Sequence, residues 1–281
     1  MVSRLPSRVA MTLVLLLSSS ALAADLTLGP PSLESGFRLM YDLEFDRAHQ
    51  VISAWQQQHP EDPMGQVCEA ARLLFSEFNR LGILESQFYE NDKAFEGRKK
   101  LAPDAATRQR FDASLAQAEA LATKRLASDP KNRDGLLAMT LSAGLKADYA
   151  ALIEKRNLAS LHLTKDATKW AQQLLAADPT CYDAYVATGI SKYLIGSVSF
   201  PLRWVLKIGG FDGDKKAGMA ELQLTADRGH YLAPFARILL AIAYVREKDK
   251  PRARQILASL RDEFPKNPLF PLEIARLDGQ P

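Results

Sequence analysis

The chain has 281 residues, 47% of them apolar and 25% charged, with 15 Gly, 15 Pro and 2 Cys. That balance excludes a disordered or collagen-like protein and is enough for a sizeable core. The formal charge of +3 falls to +1 if Arg4 and Arg8 leave with the leader described next, so the overall balance offers no electrostatic attraction to nucleic acid or to an anionic membrane.

Residues 1–23 have the three zones of a secretory signal: a basic start, an apolar stretch from Val9 to Leu17 relieved only by Thr12, and Ser18 to Ala23. Ala21 and Ala23 supply the small side chains that precede a signal-peptidase cut, so cleavage is expected after Ala23, leaving residues 24–31 as a flexible mature N-terminus. No Cys follows the apolar run, which removes the lipid-attached form of bacterial export signal. The run is too short to span a bilayer, and no later stretch approaches ~20 uninterrupted apolar residues. No transmembrane segment is therefore expected, and the protein is expected to be exported, to the periplasm if the source is bacterial. Such a compartment permits a disulfide between Cys68 and Cys181. Cys68 also reads as a small packed thiol on an apolar helical face, and there is no Cys-x-x-Cys to suggest redox chemistry.

From Ser32 onward the apolar residues recur at three and four, as in Phe37, Met40 and Tyr41 or Leu239, Leu240, Ala243 and Tyr244, and no stretch alternates for long enough to make a strand. The pattern predicts an all-α chain. Helical runs stop at His59-Pro60, Asp129-Pro130, Asp178-Pro179 and Phe264-Pro265, because a proline disfavours helical geometry in the residue before it and lacks a backbone donor. Twelve residues before each proline stands an alanine: Ala48, Ala118, Ala167 and Ala253. Twelve further back stand Gly36, Ala106, Lys155 and Ala241. Small residues in register are what an antiparallel helix pair needs where its backbones approach.

This register resembles the tetratricopeptide repeat (TPR), a helix-turn-helix unit of ~34 residues. The last copy, Pro234 to Asn267, carries Leu240 and Ala241, Tyr244, Ala253, Leu257 and Pro265 at the repeat's positions; the first, Gly29 to Asp62, matches at Gly36, Ala48, Ile52 and Pro60. The closing prolines lie 70, 49 and 86 residues apart, so the array is interrupted. An extra helix is expected within Leu81 to Gly97, a lengthened helix from Asp148 to Ala176, and an insertion from Ile195 to Lys216. The insertion and the ending Phe264 to Phe270 are similar to a group of exported bacterial TPR-like proteins of unassigned activity. The resemblance implies one degenerate, interrupted TPR-like α-solenoid of antiparallel helix pairs over residues 32–278.

The readable catalytic arrangements are missing from the sequence. His49, His59, His162 and His230 form no i, i+4 pair, so no helical zinc site can be written, and Gly-x-Ser-x-Gly is absent. No metal, cofactor or catalytic residue is expected, since helical repeat arrays bind more often than they react. The Gly209 to Asp214 loop could present amides to an anion, but Asp212 and Asp214 would repel a phosphate, which favours a tight connection between helices. Phe200 to Ile208 has Arg203 and Lys207 one turn apart with apolar residues and Trp204 around them; it could rest on a membrane, although its length favours a plug or brace against the stack.

In TPR-like arrays the first helices line a concave binding face. The resemblance places Phe37, Tyr41, Tyr193, Ile242 and Arg246 on it, with Arg203 and Trp204 of the insertion beside it. Leu33, Phe37 and Cys68 occupy positions where carboxylate-clamping TPR domains use polar residues, so recognition of that kind is not expected. The expected function is a non-enzymatic scaffold or adaptor in the cell envelope that binds a protein or peptide segment in this groove. The alternative is a carrier enclosing an apolar small molecule or lipid.

Overall fold

The computed structural model describes residues 31–84 and 101–279. All regular structure among them is helical. The helices are α1 (Leu33–Tyr41), α2 (Phe45–Gln58), α3 (Pro63–Arg80), α4 (Ala105–Ser128), α5 (Arg133–Asp148), α6 (Asn157–Ala177), α7 (Tyr185–Ser197), α8 (Phe200–Ile208), α9 (Lys215–Arg228), α10 (Ala233–Arg246), α11 (Lys250–Glu263) and α12 (Leu269–Leu277).

Local chemistry sets these boundaries. The side chains of Ser32, Asp62, Asp104, Asn132, Asp214 and Asp249 each accept a hydrogen bond from an amide of the first turn that follows. At the other ends α2, α4, α6 and α11 stop one residue short of the pre-proline position. His59, Asp129, Asp178 and Phe264 have ψ values of 58°, 97°, 91° and 71°, outside the helical region, as a following proline requires.

Apart from α8 and α9, each helix packs on its neighbour in the chain, and α1, α3, α5 and α7 also touch in succession. Ala48, Ala118, Ala167 and Ala253 are all buried. A β-carbon at Gly36 would lie 2.8 Å from the Ile52 side chain and 3.6 Å from Cys68 Sγ, so three helices converge there. The second small-residue register does not hold throughout. Ala241 is buried, but Ala106 is exposed in the first turn of α4, and Lys155 sits in a left-handed turn with φ 55°.

One further expectation changes. The helix expected to run from Asp148 to Ala176 is broken: α5 widens into a π turn at Tyr149–Ile153, the chain turns at Lys155, and α6 begins at Asn157. Cys68 and Cys181 are separate buried thiols, not a disulfide. The leader, the flexible mature N-terminus and most of the extra helix expected in Leu81 to Gly97 lie outside the described residues. Among those described, one helix, Arg133–Ile153, is long and apolar enough to cross a membrane; 61% of its most apolar window is buried inside the fold, where α3, α4, α6 and α7 pack against it.

The ends of the helical region meet. Phe37 of α1 stacks on Tyr231 at 5.1 Å, Tyr41 lies 5.4 Å from Phe264, and Phe75 of α3 meets Phe235 of α10 edge-on at 5.8 Å. The Tyr41 hydroxyl donates to the Tyr231 carbonyl at 3.1 Å, and the Asn267 amide donates to the Tyr41 carbonyl at 2.7 Å. Lys266 reaches both Asp42, through its backbone N–H, and Glu44, through its ammonium. Aromatic contacts of this kind contribute ~0.5–1.5 kcal/mol each beyond burial, whereas half-exposed ion pairs such as Lys266 with Glu44 contribute ~0–1 kcal/mol. The aromatic residues therefore hold the ends together and the charges set their register.

Candidate functional site at the seam

Where α1 meets α10 and α11 a cleft of 180 Å³ opens, walled by Phe37, Tyr41 and Tyr231 and rimmed by Arg38, Arg237 and Glu263. The rim is an ion triad. Arg38 Nη1 donates to Glu263 Oε1 at 2.8 Å, and Arg237 Nη2 donates to the other carboxylate oxygen. Burial alone would raise the Glu263 pKa, but the hydrogen bonds from Arg237 and Arg38 outweigh it and hold this carboxyl below its ordinary range. Arg237 Nε is buried with no partner, so one donor at the cleft is unused. The Arg38 guanidinium lies 5.1 Å above the Phe264 ring, which fixes its plane.

Asp183 organises the back wall. It sits in a 3₁₀ turn, Tyr182–Ala184, tied to α9 by the bond from Thr225 Oγ1 to the Tyr182 carbonyl at 2.7 Å. Its carboxylate accepts from the Tyr231 N–H at 3.2 Å and the Leu232 N–H at 3.0 Å, placing negative charge at the start of α10. Burial raises its pKa, and these amide bonds offset only part of that. The same burial, with the Asp183 charge second, pushes the Tyr231 phenol up to about 12 and the Tyr41 phenol higher still. Both tyrosines are therefore neutral donors, not bases.

The residues expected on the concave face fall into three places. Phe37 and Tyr41 come together at this cleft, though Phe37 is buried and shows it only an edge. Tyr193 is buried between α7 and α10, its hydroxyl 3.3 Å from Glu247 Oε1; Ile242 and Arg246 are half-buried on α10. Arg203 and Trp204 stand apart on α8, Trp204 mostly exposed, so at Trp204 the insertion does not plug a groove. Sequence reasoning missed Arg38, Tyr231, Arg237, Glu263 and Asp183. Arg38 and Glu263 are 225 residues apart, and neither belongs to a recognisable spacing.

A second polar feature lies at the end of α5. Asp148 keeps some contact with solvent but is hemmed in by protein, makes no hydrogen bond or ion pair, and burial pushes its carboxyl up to about 7. Between an ordinary pKa near 4 and this value, the folded chain holds a proton that the unfolded chain has lost. Asp148 is therefore least unfavourable below pH ~4, and stability declines as pH rises through 7. Asp148→Asn is expected to stabilise the protein by about 2–4 kcal/mol at pH 8 and hardly at all at pH 4. Urea unfolding at the two pH values checks this; an equal effect at both contradicts the buried-acid assignment.

Among the described residues no three His, Cys, Asp or Glu side chains are grouped to hold a metal ion. No protein-family model, curated protein or solved structure matches the chain. Fold and site together define an all-helical described region whose first helix joins α10 and α11 around a small, aromatic-walled cleft with a cationic rim.

Proposed function

We propose that the chain is a non-enzymatic, TPR-like scaffold or adaptor of the cell envelope, a degenerate array closed end to end, that binds a protein or peptide segment at the seam cleft. The observation that carries this reading is the cleft itself: an aromatic wall beside two guanidinium groups, one of them with an unused donor. An extended segment with an apolar side chain next to a carboxylate fits that chemistry, because the side chain covers the rings while the acid competes with Glu263 for Arg38 and Arg237. The buried alanines before the closing prolines and the succession of helix packing favour the repeat interpretation. A cleft of 180 Å³ falls below the ~300–1,000 Å³ of sites that enclose small molecules, which weighs against a lipid carrier.

The test is a pull-down from an envelope extract with the parent chain and with Arg38→Glu, whose side chain is half exposed. A protein enriched by the parent and at least five-fold less by the variant is the expected result. No enrichment under several salt conditions would overturn the scaffold reading, and a bound small-molecule mass in native mass spectrometry would replace it with the carrier.

A further inference from the structure

We infer that α8 and the adjoining ends of α6 and α7 form a docking face for an anionic lipid bilayer, a site separate from the seam and independent of what binds there. Six large apolar side chains are markedly exposed among the described residues, and the four most exposed belong to these three elements: Leu158 at 77%, Ile208 at 69%, Trp204 at 61% and Leu194 at 49%. Two contacts draw the elements together. Arg203 Nη1 reaches back to the Gly196 carbonyl at the end of α7, and Lys165 Nζ of α6 donates to the Gly209 carbonyl just past α8 at 2.9 Å. Leu158 precedes Lys165 by seven residues, two turns along the same stripe of α6, so it lies on the side of α6 from which Lys165 reaches the end of α8.

The charge on this face selects the occupant. α8 carries Arg203 and Lys207 and no acid. Of the acids that follow, Asp212 and Asp214 are both exposed, and Asp214 is also engaged as the cap of α9 through the Ala217 N–H. The chain as a whole is nearly neutral, so attraction to an anionic surface is local to this edge. A two-fold contact through this patch would bring it against the same cation-bearing patch of a second copy, whereas anionic headgroups would neutralise Arg203 and Lys207. Four apolar side chains separated by cations also suit a bilayer interface, which accepts each one individually and favours the amphipathic ring of tryptophan.

The test is flotation of the full chain with vesicles of one-third phosphatidylglycerol in phosphatidylcholine and with phosphatidylcholine alone, beside a Trp204→Ser/Ile208→Ser variant. Whatever residues 1–30 contribute is common to both proteins. The expected result is at least five-fold more parent protein floating with the anionic vesicles, a five-fold loss of that binding in the variant, and a comparable loss for the parent in 0.5 M NaCl. Both replaced side chains are exposed, so an unchanged melting temperature should confirm that the variant folds. Equal flotation of parent and variant, no flotation of either, or a parent dimer that the substitutions dissolve would each overturn the assignment.

Discussion

Replacing Gly218 by valine is expected to destabilise the protein by about 3 kcal/mol or more, at or beyond the upper end of the usual overpacking cost. A β-carbon at this position would lie 2.5 Å from the Tyr193 amide nitrogen and 2.6 Å from the Gly189 carbonyl oxygen. Both atoms belong to the backbone of α7, so no side-chain rotation relieves the collision and α7 and α9 must separate. The crossing continues at Gly213, where a β-carbon would come within 2.5 Å of the Gly196 amide. The Gly209 to Asp214 loop is thus a close connection at Gly213, bonded through the Asp214 N–H to the Lys192 carbonyl at 3.1 Å. Gly144→Ala is the matched control. Nothing lies within 4 Å of a β-carbon there, so relief of helix-interior glycine entropy should stabilise by ~0.5–1 kcal/mol. Urea unfolding measures both, and a neutral Gly218→Val would remove the α7–α9 contact from the fold.

The second large effect is expected at Asp183. Truncation to alanine leaves the Tyr231 and Leu232 amides without their acceptor in a buried turn, a loss of about 2–6 kcal/mol when each unpaired buried donor costs ~1–3. Asp183→Asn keeps one acceptor oxygen and should cost about half as much. A purely electrostatic role would make the two variants alike; a hydrogen-bonding role separates them. Because Tyr231 stacks on Phe37, loss of this anchor should also loosen the seam. Hydrogen exchange at the Tyr231 and Leu232 amides should therefore rise in Asp183→Ala, and unchanged protection there would show that the cleft wall stands without the carboxylate.

Much of the helix punctuation was legible in the residues. The four pre-proline stops fall one residue beyond the helices they end, and the alanines twelve positions earlier are buried, because both depend on backbone geometry within a turn or two. The break at Lys155 was not legible. Asp148 to Ala176 contains no proline or glycine, and the π turn at Tyr149–Ile153 begins at a residue held by distant partners, Tyr149 packing on Phe111 at 5.3 Å under the Arg108 guanidinium at 4.0 Å. The candidate site was half legible. Phe37 and Tyr41 stand out as aromatics on the inner side of a first helix, while Arg38, Arg237 and Glu263 look like any charges on a helix surface.

By itself, then, the sequence determined an all-helical chain, where several of its helices stop, and which small residues go inside, since capping, proline geometry and apolar period all act over a few residues. Only the tertiary structure decided that Phe37 meets Tyr231, that Arg38 meets Glu263, that Asp148 is left without a partner and that Trp204 faces outward. Those outcomes depend on the crossing angles of successive helix pairs added along the whole chain. A few degrees at each pair, invisible in any local pattern, separate ends that touch from ends that stay apart.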